Sequence, residues 1–160
     1  NYILTKMTEE GAAYADVLKD AQEKGFAEAD PTADVEGIDV ANKLSILIAL
    51  LFGQYIAPTD IPTIGISKIT LDDIKAAAEE NCKLKLIAHA TYENGKVTAS
   101  VAPEKIPYAH PLAGVSNEFN AVFINGDMVG ELMFYGKGAG ALPTGSAVVG
   151  DIITITKSLK

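Results

Sequence analysis

The chain has little of what several functions require. One cysteine among 160 residues, Cys82, excludes an internal disulfide and suits a reducing cytoplasm, the expected location. Two histidines, His89 and His110, stand far apart, so no zinc-site spacing exists and no metal is expected. Cations are few: 13 Lys and Arg against 21 Asp and Glu leave a net charge of −8. Nucleic-acid binding draws most of its affinity from clustered Lys and Arg, so that class of partner is not expected. The longest apolar run, Leu44 to Phe52, is too short to span a bilayer and is interrupted by Ser45. It reads as a buried helix, and no membrane partner is expected. No basic leader with an apolar core opens the chain, and no repeat or low-complexity tract interrupts it.

What is present is a readable order of periods. Ile3, Leu4 and Met7 form one apolar stripe at helical spacing, and Tyr14, Val17, Leu18 and Ala21 form another. They predict one or two amphipathic helices, with Gly25 as a C-terminal cap. Asp30-Pro31 announces a helix running to Phe52, with Gly53 as its stop. The second half of that helix is apolar almost all round and is expected at the centre of the core. Thr70-Leu71-Asp72-Asp73 is a capped start for a helix through Glu80. From Leu84 the period changes to two. Leu84, Leu86, Ala88, Ala90 and Tyr92 share a strand face, and Glu93-Asn94-Gly95-Lys96 turns the chain into Val97, Ala99 and Val101. A second hairpin is expected from Ala121 to Ile124, the turn Asn125-Gly126-Asp127, and Val129 to Tyr135. Glycines at 136, 138 and 140 lead to a last apolar segment, Ala147 to Ile155. Helices first and hairpins later predict an α+β fold: a mostly antiparallel or mixed sheet with helices packed on one face.

The chemistry concentrates between Glu28 and Lys43, where five acids and a lysine fall within 16 positions beside the most apolar helix. Asp39 and Lys43 are four apart and share a helix face, with the acid on the favourable N-terminal side. Asp34 lies near the helix start and Glu28 on the approach to it. Gly37 removes a side chain from the first turns at a cost of about 1 kcal/mol relative to Ala, which makes sense where a ligand or another backbone comes close. By spacing alone, an acid four residues before a lysine reads first as a surface ion pair, contributing roughly 0.3–0.5 kcal/mol. His89 alternates with Lys85 and Ile87 on a strand face and reads as structural, His110 precedes Pro111 in a loop, and Cys82 reads as a passive thiol.

The whole string is more specific than its spacing. Ala21, Gly25, Phe26, Asp30-Pro31, Asp34-Val35, Gly37, Asp39 and Lys43 resemble, in order and spacing, the signature of the homoserine dehydrogenases. Asn1-Tyr2-Ile3-Leu4 resembles the segment after that family's Gly-Thr-Thr turn, and residues 109–113, Ala-His-Pro-Leu-Ala, resemble a loop typical of it. The run 136–140 with Pro143-Thr144-Gly145-Ser146-Ala147-Val148 looks like its glycine-rich return toward the nucleotide domain.

The resemblance implies reversible reduction of L-aspartate 4-semialdehyde to L-homoserine with NADP or NAD, bound mainly by a Rossmann-type domain that would precede this region. By resemblance Lys43 is the catalytic acid and base, and Glu28, Asp34 and Asp39 are the substrate-binding acids. Gly138 and Gly140 are cofactor-approaching glycines. Residues 1–135 would be the catalytic, substrate-binding domain. Residues 136–160 would be a return and C-terminal helix packing on the nucleotide domain. Asn1 without an initiator Met reads as the middle of a longer chain, so the isolated chain is expected to be inactive. A homodimer through the sheet is implied as well. The alternative from another class is a non-catalytic amino-acid-binding and dimerisation module.

Overall fold

The computed structural model describes residues 1–138 and 140–159. Two helices open the chain, α1 (Tyr2–Glu10) and α2 (Tyr14–Glu23), as the two apolar stripes require. Gly11 ends the first at φ 64. Past the end of α2, the Phe26 N–H reaches back to the Ala21 carbonyl at 2.8 Å while Gly25 adopts φ 72. That is the left-handed C-terminal stop which glycine makes without steric cost.

The helix expected from Asp30 to Phe52 is two helices: α3 (Thr32–Val35) and α4 (Ile38–Phe52). The break is Gly37, buried and at φ 78, a conformation side chains rarely adopt. A Cβ there would meet Thr63 Cγ2 at 3.0 Å and Val101 Cγ1 at 3.3 Å. Close approach does explain Gly37, but the close groups are side chains far along the sequence.

Helix α5 (Leu71–Glu79) starts with a reciprocal cap: the Asp73 N–H donates to Thr70 Oγ1 at 3.2 Å, and the Thr70 N–H donates to Asp73 Oδ2 at 2.8 Å. The strands are β1 (Cys82–Glu93), β2 (Lys96–Pro107), β3 (Phe119–Gly126) and β4 (Gly130–Lys137), followed by helix α6 (Ala141–Ser158). Glu93 pairs with Lys96 across Asn94 (φ 52) and Gly95 (φ 80), the two positive-φ positions of a tight hairpin turn. In the second hairpin Gly126 pairs with Gly130, so the turn is Asp127-Met128-Val129, further along than expected.

The α+β class holds, but the expected single sheet is two separate antiparallel ribbons, β1–β2 and β3–β4. Beside β2, Thr63 forms an isolated parallel bridge with Val101. Two packed clusters fill the first ribbon's surroundings. One joins Leu4, Met7, Val17, Ala21, Ile74, Ala77 and Leu84; the other seats Ala41, Leu44 and Ile48 of α4 on Val97 and Val101. Leu86 touches both.

Helix α4 is not wrapped on every side as its apolarity suggests. Its buried stripe is Ala41, Leu44, Ser45 and Ile48, while Ile46 is 60% and Leu50 76% exposed. The physical reason is that α4 lies against β1–β2 on one side, and its outward row meets solvent. No described helix is long and apolar enough to cross a membrane.

Candidate functional site

The α3–α4 junction gathers the acids. Asp30 is consumed locally: its Oδ1 accepts from Thr32 Oγ1 at 2.6 Å and from the Thr32 N–H at 3.1 Å. The Thr32 hydroxyl and then its N–H hold the Asp30 carboxyl below the usual carboxylate range. Asp34, on α3, accepts the Glu28 N–H at 3.2 Å, so α3 fastens the approach loop that carries Glu28. Asp39, in the first turn of α4, accepts from Lys43 Nζ at 2.6 Å.

The structure therefore joins the four expected residues as two pairs, Glu28 with Asp34 and Asp39 with Lys43. The lysine's partner is Asp39, because the i, i+4 spacing puts Asp39 on its own helix face. Lys43 is 61% and Asp39 44% exposed, so the pair is open to an arriving ligand. Its donor and acceptor chemistry suits a polar zwitterion: carboxylates for an ammonium, and a lysine that delivers one proton to oxygen as the ammonium and takes one back as the neutral amine.

The glycine-rich return lies at the end of β4. A Cβ on Gly138 would fall 1.9 Å from Asn120 Nδ2, so Asn120 already fills the space beside it. Gly140 has φ 118, which alone calls for glycine. Ala139, between them, lies outside the described residues. The groove nearest Gly138, about 280 Å³, is shallow and lined by Asn120, Ala121, Val122, Phe134, Tyr135 and Lys137.

Two features escaped the sequence reading. Lys85, read as one face of an ordinary strand, is only 5% exposed. Its Nζ donates to the Val115 carbonyl at 2.6 Å and to Asn1 Oδ1 at 3.2 Å. The Asn1 amide lies within bonding distance of the Val115, Asn117 and Phe119 carbonyls, and Thr5 Oγ1 accepts the Asn117 N–H. Burial first, and neighbouring Lys83 second, lower the Lys85 pKa to about 8, against a smaller raising effect of Glu9. The second feature is Gly65, against the α3–α4 junction. A glycine between Ile64 and Ile66 is the signal that would have found it, since an isolated glycine in an apolar extended run marks close backbone approach.

His110 caps a short 3-10 turn (Pro111–Gly114): its Nδ1 accepts the Leu112 N–H at 3.1 Å, and its ring lies 4.8 Å from that of Phe123. Both contacts are structural, as is the Cys82 thiol's long contact with the Glu80 carbonyl, 3.4 Å.

Known proteins of similar sequence and fold share one description. A family model described as homoserine dehydrogenase matches residues 1–153. The homoserine dehydrogenase of Bacillus subtilis is 48% identical over 160 residues, covering 100% of this chain and 37% of that protein. That of Neisseria gonorrhoeae is 49% identical over 158 residues, covering 98% of this chain and 36% of its own length. The crystal structure of Staphylococcus aureus homoserine dehydrogenase at pH 6.0 superimposes with a TM-score of 0.91 at 50% identity, covering 99% of this chain and 40% of that one. The chain thus spans little more than a third of the length of these relatives.

Proposed function

The chain belongs to the homoserine dehydrogenase family, and from that premise we propose that it forms the substrate side of an active site interconverting L-aspartate 4-semialdehyde and L-homoserine. The observation that carries this reading is the Lys43–Asp39 pair, 2.6 Å apart and open on α4, beside the Asp34-tethered approach of Glu28.

In this reading Lys43 gives a proton to the aldehyde oxygen as it becomes an alkoxide, and takes it back in oxidation. Glu28 and Asp39 receive the substrate's α-ammonium through charge-assisted hydrogen bonds. Asp34 holds the Glu28 loop in register and adds negative charge. NADP or NAD supplies the hydride in reduction and accepts it in oxidation. The residues present do not make a dinucleotide cradle: Asn120 fills the space beside Gly138, and Gly140 is accounted for by its φ. We therefore place the cofactor mainly on residues outside this chain, with Gly138 and Gly140 at most bordering it.

We divide the chain at residue 135, with 136–160 a return and helix for docking a nucleotide domain; β4 pairing continues to Lys137. Leu132, Met133, Phe134 and Tyr135, all exposed, support a homodimer through the β3–β4 ribbon. The exposure of Lys43 also favours a second reading, an amino-acid-binding and dimerisation module without catalysis.

Turnover decides between them. In the full-length protein, homoserine-dependent reduction of NADP or NAD is expected, and Lys43→Ala is expected to lower kcat by about 10²–10⁴-fold. Saturable homoserine binding without any turnover establishes the second reading. Turnover undiminished in Lys43→Ala refutes the first.

A further inference from the structure

We propose that Gly65 is a positioning residue for the substrate carboxylates. Its bare backbone lets residues 62–66 close on the α3–α4 junction and so sets Asp34 and Glu28 against Asp39 and Lys43. This rests on the functional reading above.

The contact is backbone on backbone. A Cβ at Gly65 would lie 2.4 Å from Glu36 Cα and 2.4 Å from the Val35 carbonyl oxygen, atoms that no rotamer change can move aside. The segment is fastened on both flanks. The Ile64 N–H donates to the Val101 carbonyl at 2.8 Å, and the Val101 N–H donates to that of Pro62 at 2.9 Å. On the other flank the Ile66 N–H donates to the Val35 carbonyl at 2.7 Å, just ahead of the Glu36-Gly37 break. Gly37, on the junction itself, meets the same crossing, its missing side chain leaving room for Thr63 and Val101. Two glycines thus allow one crossing, from opposite sides.

A side chain at Gly65 must displace one of its neighbours. Residues 62–64 are held to β2, and α4 is seated by Ala41, Leu44 and Ile48. The softer partner is α3, four residues long, which carries Asp34 and through it the Glu28 loop. The acids of α3 and its loop then shift relative to Asp39 and Lys43, while the Asp39–Lys43 pair keeps its own geometry within α4. Binding of the ammonium suffers, and proton transfer at Lys43 suffers less.

The test is Gly65→Ala in the full-length protein, with initial rates over homoserine and over cofactor. The homoserine KM is expected to rise at least about tenfold, since misplacement on the order of 1 Å is enough for such effects. The kcat and the cofactor KM are expected to stay within about threefold of wild type. Gly114→Ala, at a glycine with nothing within 4 Å of the added Cβ, is expected to match wild type throughout. If Gly65→Ala does not fold, Thr63→Ser trims the methyl facing Gly37 while keeping the hydroxyl bond to the Ile61 carbonyl. Its homoserine KM is expected to rise about two- to threefold. An unchanged homoserine KM in folded Gly65→Ala, or in Thr63→Ser where the first does not fold, overturns the proposal. Lys43→Ala in the same assay separates the two ideas. If it abolishes turnover while Gly65→Ala keeps its homoserine KM, only the positioning role falls. If Lys43→Ala turns over normally, the functional reading itself falls.

Discussion

Between Tyr2 and Val115 apolar side chains build a buried core, with α4's outward row left exposed, whereas β4 and α6 hold all of theirs open to solvent. All the buried hydrophobic side chains among the described residues lie in the first stretch. In the second, Leu132, Met133, Phe134, Tyr135, Val148, Val149, Ile152 and Ile153 are exposed, and neither β4 nor α6 buries a residue. Both stretches are comparably apolar, so apolar content alone does not tell a buried stretch from an open one. An isolated two-stranded ribbon is marginal in water, and β3–β4 is one. The first stretch buries a core of its own; the second leaves its apolar side chains open.

The largest expected difference tests that division directly. Ile48→Ala, at a fully buried position, is expected to destabilise the 160-residue chain by about 2–5 kcal/mol, whereas Ile152→Ala costs under about 0.5 kcal/mol. Thermal melts compare them, and equal losses would break the comparison. Gly37→Ala is expected to cost about 1–3 kcal/mol, because φ 78 is strained for alanine and Thr63 crowds it. If the ribbon is an interface, Phe134→Glu weakens self-association at least about tenfold, read by sedimentation, and leaves the melt of the first stretch unchanged.

A smaller effect depends on pH. Burial lowers the Lys85 pKa from 10.5 to about 8. Between those values the unfolded chain holds a proton that the folded chain has released, so stability rises with pH across that window. Below it, the destabilisation is fully present. Lys85→Met is therefore expected to be least damaging near neutral pH, with wild type gaining on it by several °C in Tm by about pH 10. The smallest effect sharpens the contrast between stability and function: Lys43→Ala removes an exposed pair and is expected to cost no more than about 0.5 kcal/mol, while the proposed role predicts a large loss of turnover.

The elements legible in the sequence were those whose causes are local. Thr70 and Asp73 cap each other across three residues, Asn94-Gly95 dictates its own turn, and Asp39 meets Lys43 one helical turn away. What was misread has distant causes. The break at Gly37 depends on Thr63 and Val101, so the string from Asp30 to Phe52 reads as one helix. The environment of Lys85 is made by Asn1 and Val115, and nothing beside it in the strand hints at burial. The outward row of α4 is as apolar as its inward one, so periodicity does not tell a covered face from one left open. The four candidate residues rest on the resemblance; the Asp39–Lys43 pairing is legible in their spacing, and the Glu28–Asp34 contact only in the structure.

The β3–β4 ribbon is also a lever. Its root is tied where Lys85, Asn1 and Thr5 grip the loop from Val115 to Phe119, and its flank rests on the His110 ring at Phe123. A strand of this length reaches about 26 Å, so a tilt of about 5° at the root sweeps the far end through about 2 Å. Met128, at that end and 97% exposed, is where a small rearrangement around Lys85 would be read with the greatest mechanical gain.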